Sequence, residues 1–332
     1  MNLLSKKIRE LYEEFPESKK LFSQISLPVI SEEMSLEEFF SSLSVQFFRD
    51  SGLTKDSVLL LIENIVNESK NQKNDFNYHL ESLKVSGGFD KDGKKEDFTL
   101  DFRPGDIYAV TGLTGSGKTQ FLEDIEYIAS GDSPSRRKIL INGKEVTEDE
   151  RENLENRLCS SLSQSMNFVL ELSSEDFILM HADCRKRNLS PDEKENLINQ
   201  VIECANSLAG EKISRKSVIT QLSGGQSRAL MISDIALISD SPVVLIDEPE
   251  NAGIDKDKIL NLLSSKGKIV LVSTHDPIIA LSCPKRIVIK NGAVSSILEQ
   301  TDKEKNLLAE LKKYDEKMTE ARNLIREGKN VC

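Results

Sequence analysis

The chain has 332 residues, 38% hydrophobic and 30% charged, with a net charge of −11. That balance suits a soluble globular protein with its own core, in one large or two small domains. It disfavours nucleic acid and anionic membrane as partners; no run nears the roughly 18 apolar residues of a membrane span, and the opening MNLLSKKIRELYEEF is charged throughout, unlike a secretion signal.

Residues 1 to 80 read as a strand-poor helical module. Leu4, Ile8, Leu11 and Phe15 recur at helical spacing until Pro16 stops them. Ser35 and Glu38 form a capping-box pattern ahead of Leu36, Phe40, Leu43 and Phe47. A third segment groups Val58, Ile62 and Ile65. A docking or regulatory role is the expectation for this module.

From residue 83 to 300 the texture changes. The runs DIYAVTG, KILING, SPVVLID, GKIVLVS and RIVIKNGAV are β-rich, and helical patterns lie between several of them. Alternation of this kind predicts an α/β domain with a largely parallel sheet. A charged helical block over about 166–220 interrupts it, with Ser190 or Pro191 opening a helix. Residues 301–332 predict a C-terminal amphipathic helix. There Leu307, Leu311, Tyr314, Met318, Ala321 and Ile325 step by 4, 3, 4, 3, 4, a heptad seam. Such a helix lies on the body or meets another subunit. Cys159, Cys184, Cys204, Cys283 and Cys332 are scattered without CxxC spacing and read as free thiols in a reducing cytoplasm. Three histidines without shared spacing argue against a dedicated zinc site.

Gly112-Leu113-Thr114-Gly115-Ser116-Gly117-Lys118-Thr119 fits GxxxxGK[ST] in full, between a strand ending at Thr111 and a helical face of Phe121, Leu122, Ile125 and Ile128. Glycines let backbone N–H groups turn inward around phosphates, and the helix N-terminus adds partial positive charge. Lys118 is expected to reach the outer phosphates and Thr119 to ligate Mg²⁺. Asp247 stands at the end of the apolar run Val243 to Ile246, the sheet edge where open α/β folds bind ligands. It is expected to hold the metal directly or through water. Glu248 follows and can take a proton from an attacking water.

With these two motifs placed, the chain resembles an ATP-binding cassette (ABC) ATPase, a P-loop NTPase. The resemblance covers roughly residues 83–300. LSGGQ at 222–226 matches that family's signature at every position, Gln164 in SLSQSMNF its Q-loop, and His275 in VSTHDP its switch histidine. Phe89 lies 29 residues before Lys118, where the family often stacks an aromatic on adenine. Asp255 in ENAGID resembles the D-loop aspartate, with one more residue after Pro249 than the common spacing.

The resemblance implies a mainly parallel sheet core, a β-rich N-terminal subdomain and a helical insertion. It implies ATP and Mg²⁺ as cofactors, bound by Phe89, the loop Gly112 to Thr119 and Gln120. Glu248, His275 and Gln164 would be catalytic, and Thr119, Gln164 and Asp247 would serve the metal. Ser223, Gly224, Gly225, Gln226 and Asp255 would serve ATP across a seam between two cassettes, with the signature helix starting near Gln226. The second cassette would be another copy or a related chain.

Three roles for the motor are weighed. A transporter subunit, bound to membrane permease subunits at the inner face of the membrane, comes first. A cytoplasmic ATPase that remodels a soluble protein client comes second. A nucleic-acid ATPase is disfavoured by the charge and by the lack of a long coiled-coil insertion.

Overall fold

The computed structural model describes residues 3–15, 18–19, 22, 31–43, 54–55, 58–59, 62, 79–163, 166–185, 189–249 and 256–330. The chain divides into two compact units, Met1–His79 and Leu80–Cys332.

In the first unit, α1 (Ile8–Glu14) and α2 (Leu36–Ser42) are the described α-helices. The box at Ser35 forms: its Oγ accepts from the Glu38 N–H at 3.2 Å, and Glu38 accepts from the Ser35 N–H at 2.9 Å. Ile8, Leu11, Phe15, Phe22, Leu36, Phe39, Phe40, Val58 and Ile62 share one buried cluster. Phe47 and Ile65, expected on the same faces, lie outside the described residues.

The second unit holds two sheets. β1 (Leu83–Ser86), β2 (Thr99–Phe102), β4 (Lys138–Ile141) and β5 (Lys144–Glu145) form an antiparallel sheet in the order β2-β1-β4-β5. This is the β-rich subdomain. The larger sheet runs β10-β9-β3-β8-β7-β6. Its strands are β3 (Ile107–Thr111), β6 (Cys159–Leu162), β7 (Val243–Asp247), β8 (Ile269–Ser273), β9 (Lys285–Lys290) and β10 (Ala293–Glu299). Only β10 pairs antiparallel. Val243 to Ile246 and Ile269 to Val272 are wholly buried, as a sheet covered on both faces requires.

The β-rich run RIVIKNGAV spans two strands, β9 and the start of β10. Asn291 at φ 51° and Gly292 at φ 86° fold it into a hairpin, and Asn-Gly is the sequence signal for that turn.

The helices are α3 (Lys118–Glu126), α4 (Glu148–Leu158), α5 (Ser174–Arg185), α6 (Pro191–Leu208), α7 (Gly224–Leu237), α8 (Lys256–Ser265), α9 (Pro277–Ser282) and α10 (Asp302–Arg326). Helices α5 and α6 occupy the block 166–220, and Ser190 caps α6 with Pro191 in its first turn. No helix among the described residues is long and apolar enough to cross a membrane.

Helix α10 is held by ion pairs from Glu304 to Arg286 and from Lys312 to Asp257. Only part of the heptad seam faces the body. Tyr314 is 65% exposed, with Leu307, Met318 and Ile325 also in solvent, while Leu308, Leu311, Ala321 and Leu324 are partly buried. The partly buried stripe is therefore offset from the one read from spacing, sharing Leu311 and Ala321 with it, and it lies against α9.

Arg137 is 0% exposed and ties three elements together. Its guanidinium donates to Glu96 at 2.9 Å, to Asp124 of α3 at 3.0 Å and to the Gly292 carbonyl at 2.6 Å. Removing one member of such a cluster strands the others' charge without water. Arg137→Met is expected to cost roughly 3–5 kcal/mol, read as a lower urea midpoint at unchanged slope.

Candidate functional site

The loop after β3 takes its shape from three glycines. Gly112, Gly115 and Gly117 sit at φ 155°, 74° and 103°, where a side chain is strained. A Cβ on Gly117 would lie 2.9 Å from the Gly292 Cα, so the loop packs directly on the β9–β10 turn. Gly117 is the N-cap of α3, which places Lys118 in its first turn.

Lys118 is only 7% exposed. Its ammonium donates to the carbonyls of Gly112 at 3.1 Å and Leu113 at 3.4 Å, and lies 3.1 Å from His275 Nε2. His275 Nε2 is in turn 3.4 Å from Glu248 Oε1. One ring nitrogen cannot serve both neighbours at once. Unprotonated, it accepts from Lys118; protonated, it faces the carboxylate. Sheet order makes the meeting: β3, β8 and β7 are adjacent and parallel, so their C-terminal ends deliver Lys118, His275 and Glu248 to one edge.

Glu248 carries φ 48°, a left-handed backbone that non-glycine residues seldom adopt. Its N–H donates to the Ser273 carbonyl at 2.9 Å. The chain therefore turns sharply straight after Asp247 and aims the next carboxylate back toward the loop. The residue after His275, Asp276, caps α9 through the Ile278 N–H at 2.7 Å and pairs with Lys256.

A cavity of about 380 Å³ opens beside the loop. Phe89, Gly115, Gly117, Lys118, Thr119 and Gln120 line it, so six of the residues assigned to ATP share one space. Its far wall, Pro134 and Ser135, was not legible in the sequence because that loop carries no motif. Phe89 is half-buried; its N–H donates to the Ser135 carbonyl at 2.8 Å, and the Arg136 guanidinium stands 5.5 Å from its ring centre. The Gln120 side chain turns away to Asp124 at 3.1 Å.

The signature needs one correction. Its helix α7 begins at Gly224, not near Gln226. Ser223 is the N-cap and Gln226 the third helical residue, joined as a capping box: the Gln226 Oε1 accepts from the Ser223 N–H at 2.9 Å. LSGGQ thus contains a helix-start signal of its own, S-x-x-Q. No hydrogen bond among the described residues joins Ser223–Gln226 to the loop at 112–119. Gln164 and Asp255 lie outside the described residues.

No cluster of three or more His, Cys, Asp or Glu side chains able to hold a metal exists among the described residues. A hard cation that keeps several waters and bonds phosphate needs fewer. The Thr119 hydroxyl and the Asp247 carboxylate offer oxygen donors of the kind that Mg²⁺ takes.

A family model described as ABC transporter matches residues 96–251. An uncharacterized ABC transporter ATP-binding protein of Methanocaldococcus jannaschii is 44% identical over 253 residues, which covers 76% of this chain and 95% of that one. The chain belongs to the ABC ATPase family. The cassette is also 31% identical to the macrolide export ATP-binding/permease protein MacB of Campylobacter jejuni, over 62% of its own length but only 32% of that larger protein. Two solved structures share its fold. A dimeric ATP-binding cassette in a post-hydrolysis state with ADP and Pi has TM-score 0.52 and 22% identity, covering 66% of this chain and 99% of that one. The cbiO1 subunit of a Clostridium perfringens ABC transporter complex has TM-score 0.52 and 19% identity, covering 75% and 98%.

Proposed function

We propose that this cassette is the nucleotide-binding subunit of an ABC transporter and hydrolyses ATP between two cassettes. One observation carries the reading: Lys118 of the glycine loop, His275 and Glu248 meet within 3.1 and 3.4 Å at one sheet edge. Lys118 holds the outer phosphates. Glu248 orients water and takes its proton, and His275 sits between the two, placed to sense the γ-phosphate. Thr119 and Asp247 hold Mg²⁺, with Gln164 completing the set. When bound, Mg²⁺ supplies charge neutralisation at the phosphates.

A complete site needs a partner's signature. Ser223 and the N-terminus of α7, a 14-residue helix, present N–H groups and partial positive charge suited to a γ-phosphate. One chain has one loop and one signature, which a two-fold pair of copies would combine into two sites. A related chain as partner would do the same.

A permease partner is supported by a second surface. Tyr127, Met166, Phe168, Phe177 and Met231 line a groove of about 520 Å³. Next to them Val169 is 88% exposed and Leu170 is also open to solvent. Apolar side chains so placed suit a protein contact. The working location would then be the inner face of the membrane.

Phosphate release by the purified full chain tests the chemistry. It is expected to need Mg²⁺, to fall to background in EDTA and to return when Mg²⁺ is restored. Release that persists in EDTA would remove Thr119 and Asp247 from the reaction.

A further inference from the structure

A second lysine stands at the same cavity. Lys91 lies in the turn between Phe89 and Lys95, and its ammonium donates to the Gly115 carbonyl of the phosphate loop at 2.6 Å. Lys91 and Lys118 both line the 380 Å³ cavity. They differ in depth: Lys118 is buried within the loop, whereas Lys91 is exposed at its rim.

Lys91 is held there by backbone. Its N–H donates to the Asn291 carbonyl at 2.9 Å, and Asn291 donates to Asp92 at 2.8 Å. Asp90 closes the turn by accepting from the N–H groups of Asp92 at 3.0 Å and Lys94 at 2.8 Å. The stem crosses Gly292, passing 3.1 Å from where a Cβ would sit. Gly292 itself donates to the Ser116 carbonyl at 2.7 Å. Turn, hairpin and loop are thus stacked, and the Lys91 side chain laid across the stack ends in a cation. No ion pair to Lys91 exists among the described residues, and its acceptor is a neutral carbonyl. A phosphate oxygen is the stronger acceptor for an ammonium.

We propose that Lys91 is a second cationic ligand for the phosphate chain of the bound nucleotide, gripping it from the rim while Lys118 grips it from within. This rests on the reading of Gly112–Thr119 as the nucleotide loop. The ligand chemistry is a di- or triphosphate rather than a base, because the ammonium lies on the loop and not on Phe89.

The full chain, Lys91→Ala, Lys91→Arg and Lys118→Ala are titrated calorimetrically with ATP and with inorganic tripolyphosphate. Lys91→Ala is expected to weaken both ligands by about three- to tenfold, with Lys91→Arg recovering most of the loss. The difference should shrink as salt is raised. The ligand-free melting temperature should not move. ATP affinity unchanged in Lys91→Ala overturns the proposal. So does a loss for ATP without a loss for tripolyphosphate, which would place the effect at the base. So does a lowered ligand-free melting temperature with unchanged affinity, the mark of a mere pin between loops. A wild-type chain that binds neither ligand fails the loop reading itself, and the same titration shows it.

Discussion

Glu248→Gln is expected to abolish turnover and to leave an ATP-bound dimer in solution. The carboxylate lies 3.4 Å from His275, on a residue whose backbone sits at φ 48°. Glutamine keeps that shape and the hydrogen-bonding reach but takes no proton. A positioned general base contributes on the order of 10²–10⁴ in rate, so loss of about that size is the expected result. Each chain carries −11 overall, and ATP adds negative charge at the seam. Removing one carboxylate from each site lowers that repulsion as well as stopping the step that opens the dimer. Light scattering with ATP should give about twice the 37.2 kDa of one chain, and the wild type under turnover less dimer. A variant that stays monomeric in ATP removes the two-cassette site. One that still turns over removes Glu248 as the base.

Lys118→Ala is expected to lose nucleotide binding while the chain stays folded. Among the described residues its ammonium is bonded to the carbonyls of Gly112 and Leu113 and faces one imidazole nitrogen, so no buried carboxylate is stranded when it goes. What goes is a charge-assisted bond in a site nearly closed to water. Such bonds are worth about 1.5–3 kcal/mol, or roughly 10- to 100-fold in affinity. ATP at 100 times its dissociation constant should stabilise the wild type by about 2.7 kcal/mol. Thermal shift therefore reads the difference directly: at the same ATP concentration Lys118→Ala is stabilised by only about 0.4–1.4 kcal/mol, and its midpoint rises correspondingly less. Lys118→Arg should not rescue, because a planar fork does not fit the two carbonyls that receive a compact ammonium. An equal ATP-induced shift in wild type and Lys118→Ala would refute the assignment.

Particular elements show why some of this was legible in advance. The glycine loop is contiguous, and each glycine is required by a local backbone angle, so eight residues announce their own conformation. The buried strands Val243–Asp247 and Ile269–Ser273 announce themselves as apolar runs between breakers. The β-hairpin at Asn291-Gly292 had a local signal too, in the Asn-Gly pair itself. So did the start of α7, where Ser223 and Gln226 form a capping box inside a motif read only for phosphate. Strands β1, β2 and β6 are four residues each, too short for periodicity to stand out.

The sequence by itself determined the family, the loop, the acid pair and the helical insertion, because each is a short-range pattern in which neighbours in the chain dictate backbone shape. Only the tertiary structure decided which side chains meet. Lys118 lies more than a hundred residues before Glu248 and His275, and the order β3-β8-β7 joins them. Arg137 looked like one more charge on a polar chain until folding surrounded it with Glu96 and Asp124. Lys91 was another solvated lysine until the turn at Gly292 carried its stem to the loop. The physical reason is common to all three. A charge reveals its role through the oxygens and nitrogens within about 3 Å of it, and at that range the neighbours are chosen by sheet order and packing, not by position along the chain.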